Sequence, residues 1–117
     1  MAKYKSEFDA VLIIFKALSD SNRLRLYMAL EENEVCVCHL TDMLNLAPST
    51  VSKHLSILKQ ANLIESIKKG KWIYYFRSKE SSLREDSSVT QAVINSLQND
   101  HQTKKDIRRL KKVMEVS

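Results

Sequence analysis

Residues 46–61, "LAPSTVSKHLSILKQA", decide how the rest of this chain is read. Pro48 suits the first position of a helix, where its missing N–H has no partner to lose. From there Val51, Leu55 and Leu58 fall on one side at helical spacing. Ser49, Ser52, Lys53 and Ser56 gather on the opposite side, with Thr50 and His54 on the flanks. The predicted helix has an apolar back and a front of small hydroxyls plus one lysine. Such a front suits the major groove of double-stranded DNA, because small side chains admit a close approach and Lys53 can reach a guanine edge or a phosphate.

Reading outward supports that choice. Upstream, a helix over about 37–45 contributes Leu40, Met43 and Leu44, and the short "NLAP" turn joins it to the first helix described. The pair forms a helix-turn-helix over about 37–60. Downstream, "NLIESIKKGKWIYYFRS" changes period from helical to alternating, with Ile64, Ser66 and Lys68, then Trp72, Tyr74 and Phe76. Gly70, the only glycine in the chain, sits at the tip of this predicted hairpin. It is a wing over about 63–78, and its lysines Lys68, Lys69 and Lys71 suit phosphates or an adjacent minor groove. Trp72 and Tyr74 read as wing packing. Helix-turn-helix, polar front, hairpin and basic tip in this order point to DNA. The competing binding class is a winged helix that docks proteins. RNA fits less well, since no aromatic stacking platform stands out.

Further out, residues 7–18 place Phe8, Val11, Leu12, Phe15 and Leu18 on one helical face. Asp20 or Ser21 then caps a second helix, with Leu24, Tyr27, Met28 and Leu30 as its buried set. "NEV", residues 33–35, reads as a plain connector. Beyond the wing, "REDSSVTQAVINSLQ" forms a fifth helix with Val89, Val93, Ile94 and Leu97 apolar. Residues 98–106 are all polar, either a solvated continuation of that helix or a break. Helical spacing resumes with Ile107, Leu110, Val113 and Met114. The expectation is a single domain over 1–117, mainly α with a small β-hairpin, a winged helix-turn-helix with terminal helices at about 6–18 and 83–115.

Composition bounds the function. The chain of 117 residues carries a net charge of +5. Residues 1–47 are net −2, residues 48–79 net +6 and residues 80–117 net +1, so the excess lies in the predicted helix and wing. A basic block confined to one unit is the footprint of a polyanion site. No signal-peptide pattern or bilayer-length apolar run is present, so a soluble, cytoplasmic protein without a membrane partner is expected. No Gly-rich phosphate loop, paired catalytic carboxylates or Ser/His/Asp set stands out, and the Cys-x-x-Cys of thiol oxidoreductases is absent. The reading is not an enzyme.

The two cysteines, Cys36 and Cys38 in "EVCVCHL", lie one residue apart at the start of the helix before the polar-fronted one. Thiolates bind soft ions, and a helix N-terminus favours them. On a regular helix, residues two apart point about 200° from each other. To share one ion, the first turn must distort or Cys36 must lie outside it. His39 is the candidate third ligand, although adjacent residues seldom converge on one ion. A disulfide between residues two apart closes a small, strained ring. The other readings are buried cysteines with no ligand and a thiol-oxidation switch.

"KALSDSNRLRLYMAL", "EVCVCHL", "STVSKHLSILKQANLI" and "KKGKWIYYF" resemble, in this order, the winged-helix repressors of the ArsR/SmtB type. The resemblance covers roughly residues 8–78. It implies a homodimer that binds an inverted-repeat DNA operator and releases it when a metal or metalloid binds, with the first and last helices forming the dimer interface. In the arsenic-responsive branch the corresponding helix is similar to "ELCVCDLC", with three thiols around the ion. This chain keeps Cys36 and Cys38, has His39 in place of Asp and Thr41 in place of the third Cys. The resemblance implies As(III) or Sb(III) as inducer and no constitutive cofactor. Zn or Cd is the alternative, but a closed zinc site wants four ligands. A second family site, on the C-terminal helices, is matched only by Asp100 and His101.

Overall fold

The computed structural model describes residues 6–31, 33–78 and 87–116. Helix α1 (Glu7–Leu18) starts at Ser6, whose Oγ accepts from the Asp9 backbone N–H at 3.2 Å. Helix α2 (Ser21–Ala29) starts at Asp20, whose Oδ1 accepts from the backbone N–H groups of Asn22 at 2.8 Å and Arg23 at 3.1 Å. These bonds, the one from Arg23 foremost, hold the Asp20 carboxyl below the usual carboxylate value. Strand β1 (Val35–Cys36) leads directly into α3 (Val37–Leu44). Asn45 ends α3 in the left-handed conformation, φ 55°, with its N–H on the carbonyls of Thr41 and Asp42. Two residues later Pro48 opens α4 (Pro48–Gln60).

Strands β2 (Ile64–Lys69) and β3 (Trp72–Arg77) form the hairpin, turning at Gly70, whose φ of 62° suits a residue without Cβ. The sheet is three-stranded and antiparallel, ordered β1-β3-β2. The segment expected as a connector therefore supplies a strand: Val35 faces Tyr75 and Cys36 faces Tyr74. Helix α5 (Ser87–Leu97) and helix α6 (His101–Val116) complete the fold. The expected start of the terminal helix at 83 lies outside the described residues. The polar run 98–106 proves to hold both a break, at 98–100, and the first turns of α6. Asp100 caps that helix, its Oδ2 accepting from the N–H groups of Gln102 at 2.9 Å and Thr103 at 3.2 Å.

The core gathers the inner faces of α1 to α4 and the sheet. Leu26, Leu30, Leu40, Val51, Leu55 and Leu58 are fully buried; each leucine contributes about 2 kcal/mol by leaving water. The apolar face read for α1 divides between core and surface. Ala10, Ile14, Ala17 and Leu18 point inward, while Phe8, Leu12 and Phe15 are 75%, 39% and 56% exposed. Alanines at the contact let α1 lie close to the core, and the bulky residues are left outside.

Two arginines tie the periphery down. The Arg25 fork grips Asp106 of α6, Nε to Oδ2 at 3.0 Å and Nη2 to Oδ1 at 2.9 Å. Asp106 is 3% exposed and also accepts from Gln102 Nε2 at 2.9 Å. Arg77, at the end of β3, donates to the carbonyls of Tyr27 and Met28, both at 3.0 Å, closing the C-terminal end of α2 onto the sheet. No helix among the described residues is long and apolar enough to cross a membrane.

Candidate nucleic-acid interface and thiol site

The front of α4 faces water because its back is consumed by the core. Val51, Leu55 and Leu58 are buried, and Ser49, Thr50, Ser52, Lys53 and Ser56 are exposed. His54 is placed differently from the rest. It is half-buried, with Nδ1 3.3 Å from Arg23 Nη1. Arg23 itself is fixed by Nε donation to the Ala17 carbonyl at 2.7 Å. His54 therefore anchors α4 to the α1–α2 corner, and its ring edge is a smaller part of the polar front than its spacing implied.

At the wing, Lys68, Lys69 and Lys71 are all exposed. Cross-strand partners share a sheet face, so Lys69, Trp72, Ile67 and Tyr74 lie on one side of the hairpin. Lys69 is engaged there: Glu34 forms an ion pair with it, and its Nζ sits 5.6 Å from the centroid of the Tyr74 ring. Glu34 holds this ammonium above the usual lysine value. The expectation that Trp72 and Tyr74 simply pack the wing is corrected for Trp72, which is 46% exposed, whereas Tyr74 is half-buried.

Cys36 is the N-cap of α3, with extended backbone at φ −62°, ψ 140°. It thus lies just outside the first turn, which lets two residues two apart converge. Its Sγ accepts from the Cys38 backbone N–H at 3.4 Å and lies 2.6 Å from Cys38 Sγ. Both are free thiols, Cys36 buried and Cys38 exposed. Although the residue is exposed, partial desolvation of its sulfur pushes the Cys38 thiol up to about 11, helped by the hydrogen bond with Cys36 and by that neighbour's charge. His39 joins the group: one ligand atom from each of Cys36, Cys38 and His39 lies within 4.8 Å of the others. Thiolate ligands at about 2.3 Å from a soft ion sit roughly 4 Å apart, so these donors can share a small thiophilic ion once the two sulfurs, 2.6 Å apart, separate by about 1 Å. They offer three ligands rather than the four of a closed zinc site. Thr41 cannot add a thiol, and its Oγ1 donates to the Val37 carbonyl at 2.9 Å. The strand register sets this site on the wing sheet, since Cys36 pairs with Tyr74. Sequence reasoning missed that link, which a two-residue strand does not signal.

Comparison with known proteins places the fold in a lineage. Residues 20–66 match the family described as bacterial regulatory protein, arsR family. Over 64 residues the chain is 41% identical to the arsenic resistance transcriptional regulator of Pseudomonas putida, covering 54% of this chain and 50% of that protein. It is 44% identical over 63 residues to the cadmium resistance transcriptional regulatory protein of Listeria innocua, covering 53% of each. An HTH-type transcriptional regulator of Methanocaldococcus jannaschii is 39% identical over 77 residues, 65% of this chain and 82% of that protein. Among solved structures, the homodimeric winged helix-turn-helix DNA-binding domain of a Mycobacterium bovis protein is 26% identical, with a TM-score of 0.63, covering 86% of this chain and 97% of that one. The architecture is that of a winged helix-turn-helix transcriptional regulator. The chain belongs to the ArsR family, whose members are transcriptional regulators and not enzymes. It spans about half the length of the arsenic and cadmium relatives it matches.

Proposed function

We propose that this chain is a cytoplasmic, homodimeric repressor that binds an inverted-repeat DNA operator and leaves it when As(III) or Sb(III) is captured by Cys36 and Cys38, with His39 as third donor. The carrying observation is the polar front of α4, exposed over Ser49, Ser52, Lys53 and Ser56 beside the lysine-tipped wing. Small hydroxyls and Lys53 meet base edges and phosphates in the major groove, and Lys68, Lys69 and Lys71 meet flanking phosphates. The named activities of the P. putida and L. innocua relatives support a soft-ion inducer, arsenic in one case and cadmium in the other. The donor set of two thiols and one imidazole within 4.8 Å favours a thiophilic ion content with three ligands, two of them soft.

The route from thiols to DNA follows the backbone. Cys36 ends β1 and caps α3, the helix that positions α4. Gathering Cys36, Cys38 and His39 onto one ion redirects the chain entering α3. That chain is hydrogen-bonded to β3, and Glu34 is paired with wing Lys69. Helix and wing are thereby addressed from one place. The apolar stripe Phe8, Leu12 and Phe15, with the groove between α1 and α5 lined by Leu24, Val89 and Val93, supports a second copy as partner.

The test is fluorescence anisotropy of a labelled duplex from the DNA upstream of the chain's own coding sequence, with reduced protein. Arsenite, antimonite, cadmium and zinc are then titrated in turn. Release by arsenite or antimonite, lost in Cys36→Ser, is expected. The log–log salt slope should be near −6 if each protomer of a dimer neutralises about three or four phosphates. Sequence-specific binding retained by the Ser52→Ala, Lys53→Ala double variant would remove α4 as the reader. A second reading, release by thiol oxidation, is favoured by the 2.6 Å separation of the sulfurs. Joining them takes two electrons and two protons to an oxidant such as a peroxide. Release by peroxide and reversal by dithiothreitol, with no response to any ion, would select it.

A further inference from the structure

The chain has a single tryptophan, Trp72, and the fold carries it to the far end of the wing. It is the first residue of β3, directly after the turn at Gly70 and Lys71. Its side chain is 46% exposed and stands apart from the buried core cluster. Its cross-strand partner is Lys69, and the next pair on the same face is Ile67, itself 40% exposed, with Tyr74. Among the described residues, a Cβ on Gly70 would meet no atom within 4 Å beyond its chain neighbours. A large indole is thus exposed at the hairpin tip, with Lys69 on its own face, Lys71 next to it in sequence and Lys68 on the opposite face.

The lysines at the hairpin tip decide between partners. A dry protein surface over Trp72 would have to desolvate the surrounding ammonium groups, and lysine is depleted from the centres of such interfaces. A nucleic-acid groove presents the opposite arrangement, with phosphates on its rims and sugars and base edges on its floor. Apolar side chains that enter a minor groove between cationic neighbours are a recurrent device of duplex binding. We propose that Trp72 is a DNA contact residue, its indole packing on the deoxyribose and base edges of the groove whose phosphates the wing lysines meet. This rests on the reading of the chain as a duplex-DNA binder. Its contribution is apolar, so it must behave differently from the lysines: it adds affinity without releasing counterions.

As the only tryptophan, Trp72 reports its own surroundings. The reduced protein is titrated with the labelled upstream duplex while anisotropy and acrylamide quenching of tryptophan emission are followed together. At saturation the emission moves to the blue and quenching falls severalfold. Trp72→Ala binds about tenfold more weakly with an unchanged salt slope, whereas Lys71→Ala lowers the slope by about 1. An indole still fully quenchable when anisotropy saturates overturns the role of Trp72 and leaves the DNA-binding reading standing. So does a folded Trp72→Ala variant of undiminished affinity. The quenching experiment uses the wild-type chain and decides the matter even if the variant does not fold. Absence of any anisotropy change with the wild-type chain overturns both readings together.

Discussion

At the scale of the residue, the least legible position is Asp106. Its neighbours in sequence are lysines and isoleucine, and the run around it reads as solvated surface. In the fold it is 3% exposed and held by both nitrogens of the Arg25 fork. No local pattern announces a pairing between residues 81 positions apart. The two partners are unequal, with side-chain exposures of 29% for Arg25 and 4% for Asp106. Removing the arginine leaves a buried carboxylate with Gln102 as its remaining side-chain donor among the described residues; removing the aspartate leaves a guanidinium that can turn to water. Arg25→Ala should therefore cost about 3 kcal/mol and Asp106→Ala about 2 kcal/mol, read from urea unfolding midpoints at neutral pH. Equal losses would mean that water reaches Asp106 in the folded state. By contrast the front of α4 was legible residue by residue, because each of Val51, Leu55 and Leu58 is buried and each hydroxyl between them is not. His54 was not, since its partner Arg23 comes from another helix.

At the scale of the element, legibility follows how one-sided the pattern is. Helices α3 and α4 have a single apolar face each, and both were read with their buried residues. Helix α1 is apolar nearly all round, so spacing alone could not choose between the Phe8–Leu12–Phe15 face and the Ala10–Ile14–Ala17 face. The choice was made by close helix packing, which favours alanine. Strand β1 has two residues and no period to detect, yet it joins the thiols to the wing. Helix α6 hides its inward stripe because two of its members, Thr103 and Asp106, are polar. The link from β1 to the wing through Glu34 and Lys69 yields a test. Glu34→Gln frees Lys69 for a phosphate, so DNA binding should tighten about two- to threefold and the salt slope steepen by about 1. The ion-induced loss of DNA affinity should shrink with it. An unchanged slope would show that Glu34 does not hold Lys69 back from the duplex.

At the scale of the whole molecule, the charge split seen in the sequence maps onto one side of function: the basic excess lies in α4 and the wing, away from the apolar stripe of α1. That stripe sets an expectation for assembly. Phe15, 56% exposed, borders the groove shared with α5. Phe15→Glu should convert a micromolar dimer to monomer in sedimentation equilibrium. It should also weaken operator binding by about a hundredfold or more, because two half-sites are no longer held together. A variant that stays dimeric would move the interface elsewhere. The sheet itself has a further consequence. Among the described residues its outer strand β2 pairs with β3 alone, and an unprotected edge invites other chains to add to it as fibrils do. Here that edge carries Glu65, Lys68 and Lys69. The wing lysines are thus also gatekeepers against aggregation, and a chain stripped of them to lose DNA would tend to lose its solubility as well.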